Sequence, residues 1–396
     1  IIGDFDFIRS DIVQSDYSVN LNIIPQDDRT VISVRNNAAM LPVEQERINK
    51  RLALALACES FGDIYDQVED DTEGAGLGLV LIIMFIKSMG LNTSAFSITS
   101  DEDSTVSSIT IPLMLKPVEI TTPVKKHILR AIDGLPTFPE NVMQLINMCA
   151  SEDASIDDIA SRIKRDVALS TDVLRLSNSA GFATVNKVDD IGIAILKIGL
   201  KNVRAILIAS TARRILESRF RMFEEIWEHC NRTAYYSRMI LVKNKKIRDC
   251  ENAYMAGLLH DLGQIILMAI DMKTIQKISY ITRERSIINS TVMEELAIGI
   301  SHAEIGALVA EKWKFPQILV EIIRYHHAPL RVSRSYSETA YAVYLANMLC
   351  GIEKKKYIYN YLEDQVLEFF GINSGEELAQ LHNTLRSEYE NLQKPR

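Results

Sequence analysis

Five of the seven histidines in this 396-residue chain fall, with one aspartate, into a single constellation: His229, the pair His260-Asp261, His302 and the doublet His326-His327. Imidazole is the commonest metal ligand near neutral pH. The intervals of 31, 42 and 24 residues are too long for a local finger, so the ligands would converge from separate helices across a bundle. Mixed histidine and carboxylate ligation suits iron, manganese, zinc or nickel rather than calcium. Two ions bridged by one carboxylate could activate water for attack on a phosphoester, and Asp261 would be that bridge. A blander reading is local. His302 follows Ser301 and fits a capped helix start with Glu304 in the first turn, and His326-His327, just before Pro329, fit a helix C-terminus. His127 and His382 lie outside the set and read as surface residues.

A second candidate is the cluster EGAGLGL at Glu73–Leu79, with Gly74, Gly76 and Gly78, which runs directly into the helical segment VLIIMFIKSMG. A glycine-rich turn feeding a helix N-terminus presents backbone N–H groups to phosphate. The alternative is that these glycines make a tight turn with close helix packing.

The elements that must position these groups differ along the chain. Up to about residue 115, strands and helices are mixed. Arg29–Arg35, Ser94–Thr99 and Thr105–Pro112 read as strands, and Pro42 opens a helix, PVEQERINKRLALALA. After Pro123 the i, i+3, i+4 spacing of apolar residues recurs in segment after segment. It predicts helices over Val142–Cys149, Ile156–Arg165, Leu169–Ser177, Ile191–Ile198, Val203–Leu216, Ile226–Val242 and Tyr254–Ala269. Val292–Leu296, His302–Lys312, Gln317–Tyr325 and Glu338–Cys350 follow, and two more helices flank Gly371–Gly375. The expected architecture is an α+β region over 1–116, a linker over 117–125, an all-helical domain over 126–350 and a helical extension over 351–396.

A hydrophobic content of 47% and a charged content of 24% describe an ordinary globular chain. The net charge of −8 argues against a nucleic-acid surface as main partner. The longest apolar run, Leu77 to Ile86, is about half a membrane span, and the start has no signal peptide. Five dispersed cysteines without a CxxC pair suggest neither a disulfide framework nor a thiolate zinc site, which fits a cytoplasmic location. The first residue is Ile, as in the ordered part of a longer protein.

Two resemblances add to this. The GxGLGL run, preceded by an acidic loop and followed by a helix and two strands, resembles the second glycine box of the histidine-kinase-type ATPase domain, and the element order matches that fold's C-terminal half. Where that family ends a strand with DNG, this chain has Asn36 in place of Asp and Ala38 in place of Gly, and residues 1–28 offer no helix with the Mg-ligating Asn. With one of three nucleotide motifs intact, bound ATP is not expected.

The helical region carries a closer match. GLPTFP (Gly134–Pro139), IASRIKRDVALSTDVLRLSNSAGF (Ile159–Phe182), IGIAILKIGLKNVRAILI (Ile191–Ile208), AGLLHDLGQ (Ala256–Gln264), HAEIGALVAEKWKFP (His302–Pro316), EIIRYHHAPL (Glu321–Leu330) and AVYLANML (Ala342–Leu349) together resemble the HDOD domain. HDOD is the regulatory relative of the HD-type metal phosphohydrolases. The resemblance implies that His229, His260, Asp261, His302, His326 and His327 occupy metal-ligand positions. The last ligand position, an Asp in the HD-GYP phosphodiesterases, is Asn347 here, and the DGxGYP run of those enzymes is absent. The expected function is therefore a bacterial signalling protein whose HDOD domain is a non-catalytic interaction module for protein partners, coupled to an N-terminal sensory or degenerate nucleotide-binding domain. A metal-dependent phosphohydrolase acting on a nucleotide or cyclic dinucleotide is the alternative, and an ATP-binding kinase-like regulator is a third reading. Asn178, Ser179, Trp227 and Trp313 read as packing or fold-defining residues.

Overall fold

A computed structural model describes residues 17–57, 75–114, 122–151, 153–178, 188–220, 223–246, 249–284, 290–354 and 359–393. The chain divides into two units. One comprises Ile1–Thr122 with Glu295–Gly299, and the other Pro123–Glu294 with Ile300–Arg396.

The first unit runs β1 (Val19–Pro25), β2 (Arg29–Asn36), α1 (Pro42–Ala57), α2 (Ala75–Ser88), β3 (Phe96–Ser100) and β4 (Thr105–Pro112). Its four strands form one antiparallel sheet in the order β1-β2-β4-β3, with β2 and β4 paired from Arg29↔Pro112 to Asn36↔Thr105. The β3–β4 hairpin closes on Asp101, whose Oδ1 accepts from the backbone N–H of Ser104 at 2.6 Å and of Asp103 at 3.0 Å. The acidic stretch 100–104 thus works as an Asx turn. Lys87 Nζ donates to the carbonyls of Ala55 and Leu56, both at 2.9 Å, and so satisfies the last turn of α1. Strand β1 escapes the sequence reading because all seven of its residues are exposed, so no buried face stamps an alternating pattern on it.

The second unit is helical. It opens with α3 (Pro123–Asp133), α4 (Glu140–Met148), α5 (Ile156–Lys164), α6 (Val167–Ser177), α7 (Ile191–Ile198), α8 (Leu200–Arg219) and α9 (Glu224–Lys243). It continues through α10 (Cys250–Leu259), α11 (Leu262–Glu284), α12 (Ser290–Ile298), α13 (His302–Lys312), α14 (Gln317–Tyr325), α15 (Ser337–Glu353), α16 (Asp364–Phe369) and α17 (Gly375–Gln393). Side-chain caps start several of them where the sequence places an acceptor. Ser155 accepts from Asp158 N, Asp190 from Ile193 N and Ser301 from Glu304 N. Helix α3 begins at Pro123, inside the span expected to be linker.

Asn178 has the fold-defining role expected of it. Its amide donates to the carbonyls of Leu174 and Val188, both at 2.7 Å, and accepts from Val188 N at 2.8 Å, clamping both ends of the α6–α7 connection. Trp313 donates from Nε1 to the Pro136 carbonyl at 3.0 Å and meets Phe138 edge-on, which ties the GLPTFP segment to the end of α13. Ser179 lies outside the described residues.

Helices α8, α9 and α15 are buried on most of their circumference, as central helices of a bundle are. The run Cys250–Thr282 is long and apolar enough by composition to cross a membrane, but 72% of its most apolar window is buried inside this unit. The apolar period suggested one helix over Tyr254–Ala269. The structure corrects this, because α10 stops at Leu259 and α11 starts at Leu262, with His260 and Asp261 in the break.

Beyond α15 the chain returns to the same core. Leu378, Leu385 and Tyr389 of α17 cluster with Tyr236 and Ile240 of α9 and with Leu345 and Leu349 of α15. Each such aliphatic side chain contributes roughly 1.5–3 kcal/mol by leaving water. At the centre of this contact the Glu353 carboxylate accepts from Tyr236 OH at 2.6 Å, from His382 Nε2 at 3.0 Å and from the Arg232 guanidinium. Tyr359 OH lies 2.8 Å from His382 Nδ1. His382 is therefore not a surface residue but 5% exposed, held by a carboxylate.

Burial alone would raise the Glu353 carboxyl, but the bonds from His382 and Tyr236 and the charge of Arg232 outweigh it and bring it to about 2. The folded value lies below the ordinary 4.5, so the stabilisation is complete above about pH 4.5 and is lost as pH falls toward 2. Glu353→Gln is expected to lower stability at pH 7 by about 2–3 kcal/mol, with a cost that shrinks as pH falls through this window. Denaturant unfolding from pH 7 to 3 measures it, and a pH-independent cost would contradict the assignment.

Candidate metal centre

Five segments of the helical unit each deliver a piece of the centre. Helix α9 carries His229, and the α10–α11 break carries His260 and Asp261. The first residue of α13 is His302, the C-terminus of α14 supplies His326-His327, and α15 carries Asn347. Both local features read from the sequence are present, since Ser301 caps α13 and His326 is the C-cap of α14. They set where the His302 and His326 rings point and leave both in the cluster.

Four of the five sequence-predicted histidines converge on Asp261, and the fifth, His327, meets His302. Its Oδ2 lies 3.5 Å from His229 Nε2 and 3.4 Å from His260 Nε2. Its Oδ1 lies 3.5 Å from both His302 Nε2 and His326 Nε2. His229 and His260 approach Nε2 to Nε2 at 3.3 Å, and His302 Nε2 is 3.2 Å from the Nε2 atoms of both His326 and His327. Two groups that could hold a metal ion result, His229-His260-Asp261 and His302-His326-His327, with the Asp261 carboxylate between them. Asn347 Oδ1 completes the first group at 3.0 Å from His229 Nε2.

The tautomers decide what this crowding means. His260 Nδ1 lies 2.8 Å from the Gly257 carbonyl and His326 Nδ1 2.7 Å from the Ile323 carbonyl. A carbonyl only accepts, so both Nδ1 atoms carry hydrogen and both neutral rings present a bare Nε2 lone pair. His302 Nδ1 donates to the Glu294 carboxylate at 2.7 and 2.9 Å, with the same consequence. The lone pairs of His302 and His326, aimed at one another from 3.2 Å, repel unless a proton or cation lies between them. Two imidazoles sharing one zinc-type ion at about 2.0–2.1 Å, at a tetrahedral angle, stand roughly 3.3 Å apart. The donor set therefore fits a divalent cation, and the outer hydrogen bonds are those that fix ligating histidines.

Charge points the same way. Burial opposes ionising Asp261, but His260, His326 and His302 outweigh it and hold its carboxyl well below the usual range. Burial likewise opposes charge on His260, and Asp261 overrides it, so that imidazole is raised well above its ordinary value. Burial brings His326 down to about 4, and burial together with the neighbouring His326 and His302 places His327 well below its ordinary value. Burial opposes charge on His302 too, and the Glu294 carboxylate overrides it and raises that imidazole. The cluster is thus an anionic carboxylate with His260 and His302 drawn toward the cationic form and His326 and His327 held neutral, and a cation would displace the protons it holds.

Sequence reasoning missed the residues that permit this closeness. Glu294, 3% exposed, binds both Nδ1 and the backbone N–H of His302, yet as one of two adjacent glutamates it looks like part of a solvated face. A Cβ on Gly263 would stand 2.0 Å from the His302 carbonyl oxygen and 2.5 Å from Gly306 N, and one on Gly257 would stand 2.8 Å from Ala234 Cα. These two glycines let α11 meet α13 and α10 meet α9 backbone to backbone. Gly263→Ala is expected to cost about 3 kcal/mol or more and to weaken metal binding, because α11 and α13 must separate. A thermal melt unchanged from wild type would contradict this contact.

In the first unit, Gly76 and Gly78 lie inside the first turn of α2 rather than in a turn before it, and Gly74 lies outside the described residues. A Cβ on Gly78 meets nothing within 4 Å, so close packing does not demand glycine there. His127, as expected, is exposed.

A cavity of about 710 Å³ reaches His229, with Trp227, Arg213 and Arg232 in its walls and residues of α17 along one side. Trp227, 3% exposed, stacks under the Arg213 guanidinium at 5.3 Å.

Separate helices that bring histidines and a bridging aspartate to one point define an HD-related helical domain. Residues 135–329 match the HDOD domain family, and the chain carries an HDOD domain. A protein of Treponema pallidum (strain Nichols), described as uncharacterized, is 29% identical over 360 residues, covering 91% of this chain and 70% of that one. Among solved structures, an HDOD domain protein of unknown function from Geobacter sulfurreducens shares 21% identity at a TM-score of 0.55, covering 68% of this chain and 94% of that one. A candidate signal transduction protein from Marinobacter aquaeolei VT8 covers 94% of this chain and 91% of its own, with 14% identity and a TM-score of 0.53. A candidate phosphohydrolase from Shewanella amazonensis SB2B, 24% identical at a TM-score of 0.51, covers 67% of this chain and 98% of that one. At these identities the solved structures establish the fold.

Proposed function

We propose that this protein is a signalling protein whose HDOD domain holds a pair of divalent metal ions and serves as a regulatory module for protein partners. The observation that carries this is the convergence of four histidine Nε2 atoms on Asp261, with the tautomer that bares Nε2 already fixed in His260, His302 and His326. His229, His260, Asp261 and Asn347 would hold one ion, and Asp261, His302, His326 and His327 the other. Regulation would be conformational: the state of the N-terminal unit, of the ions or of a bound ligand biases the packing of helices that also carry the ligands. Elemental analysis of the purified chain tests the reading. About two iron, manganese, zinc or nickel ions per chain are expected, and a metal-free protein that also fails to take up these ions in equilibrium dialysis overturns it.

A second reading, phosphoester hydrolysis, is favoured by the cavity that gives a substrate access to His229. Ions held here would supply Lewis acidity toward a phosphoryl oxygen. The neutral Asn347 amide, in place of an anionic ligand, is the reason regulation is placed first. Turnover of bis-p-nitrophenyl phosphate by the metal-loaded protein, abolished by Asp261→Ala, would reverse that order.

A further inference from the structure

The cavity beside the metal centre is not lined by the HDOD core alone. Arg386 and Tyr389, which form part of its wall, belong to α17, well beyond the HDOD match at 135–329. Its floor holds two guanidinium groups that are immobilised before any ligand arrives. Arg213 lies over the Trp227 ring at 5.3 Å and is bonded to Glu217 and, at 2.9 Å, to Glu224. Arg232 lies over the Tyr389 ring at 4.9 Å and is bonded to Glu353. A guanidinium has five N–H donors, and a carboxylate at one edge leaves others directed elsewhere. When its plane is fixed by stacking, little rotamer entropy remains to be lost on binding an anion. Arg175, Lys354 and Arg386 add positive charge to the same lining, Arg175 paired with Asp172 at 3.1 Å and Arg386 with Glu390 at 2.8 Å, and the carboxylates of Glu224, Glu228 and Glu390 line it too.

We infer that this cavity is a binding site for a small sugar phosphate or nucleotide, built jointly by α8, α9 and the C-terminal helix α17. The phosphate would be taken by the arginines and the sugar hydroxyls by the carboxylates. A carboxylate has about four lone-pair positions, so one paired with a single arginine keeps positions for hydroxyl donors; a phosphate that carries hydroxyl groups uses both kinds of group where an inorganic anion uses only the arginines. The site would also be linked to the metal centre. Arg232 lies one helical turn from His229 on α9, and its partner Glu353 lies on α15 with Asn347, so a ligand that draws on Arg232 pulls on both helices. This inference supplies the ligand for the regulatory reading and rests on it only for that coupling.

The test uses the full chain in two states, stripped with EDTA and desalted, or reloaded with Mn²⁺. Ribose 5-phosphate, AMP and inorganic phosphate are titrated into each by calorimetry. In both states ribose 5-phosphate or AMP is expected to bind with Kd below about 1 mM, and more tightly than inorganic phosphate. The double substitution Arg175→Gln, Arg386→Gln, which breaks only surface pairs with Asp172 and Glu390, is expected to weaken binding by about tenfold or more while the thermal melt of the free protein moves little. Preference for ribose 5-phosphate or for AMP distinguishes a sugar-phosphate from a nucleotide ligand. Binding only in the Mn²⁺ state, indifferent to the double substitution, would place the phosphate on the ions and overturn the cavity site. Absence of binding by all three probes in both states would overturn it too. Binding in a protein that takes up no Mn²⁺ would leave the cavity site standing and sink the metal reading instead.

Discussion

Asp261→Ala is expected to take the metal content of the purified chain from about two ions to well below one. Each oxygen of this carboxylate faces two imidazoles, Oδ2 toward His229 and His260 and Oδ1 toward His302 and His326, at 3.4–3.5 Å. Removing it takes one ligand from each ion at once. It also removes the negative charge held between the two groups, leaving an all-neutral set for two dications. Asp261→Asn separates these losses, because it keeps the side-chain volume and an oxygen but not the charge. If charge dominates, both variants lose metal alike. If coordination dominates, the asparagine form retains part of it. Elemental analysis after purification and after dialysis against Mn²⁺ provides the readout, and a Asp261→Ala protein that still carries both ions would eliminate the bridging role.

Asn347→Asp is expected to move stability in opposite directions in the two metal states. Asn347 is 5% exposed and its Oδ1 lies 3.0 Å from His229 Nε2. Without metal, a second carboxylate near Asp261 buries like charges together and should cost about 1–3 kcal/mol, lowering the melting temperature of the chelated protein. With metal, the new anionic oxygen adds a stronger ligand to the group of His229, His260 and Asp261 and should tighten that ion about tenfold or more. Melting curves with EDTA and with excess Mn²⁺ read both arms. Shifts of the same sign and size in the two would show that the oxygen at position 347 is not a ligand. If the substitution also turns on hydrolysis of bis-p-nitrophenyl phosphate, the neutral amide is what keeps this centre regulatory.

Much of the helical unit was legible because its apolar period is strong and its helices begin at recognisable acceptors. The spans Ile191–Ile198, His302–Lys312 and Gln317–Tyr325 coincide with the structure residue for residue, and each starts next to Asp190, Ser301 or Pro316. The histidines of the centre were legible for a different reason, since five of the chain's seven fall within about a hundred residues, in or beside helical segments. What stayed hidden was whatever mimics an ordinary surface or an unbroken helix. The break at His260–Asp261 carries neither Gly nor Pro, and the apolar period passes through it. Glu294 and His382 sit in polar stretches, and their burial follows from partners remote in the chain, which no local pattern reports. Gly76 and Gly78 differ in another way, because the glycine spacing that suggests a turn lies in the first turn of a helix.

The backbone contact of Gly263 with His302 and Gly306 has a kinetic consequence. Two helices in such contact open together or not at all, so their amide protons will exchange with solvent mainly through cooperative unfolding of the whole unit. Asp261 and His302 are attached to that slow plate. An ion between them would not be lost by the fraying of a single helix end, so exchange with a chelator or with added metal would run through the cavity that reaches His229 while the frame stays closed. The frame would hold its shape whether the centre is filled or empty, and refilling would need no refolding.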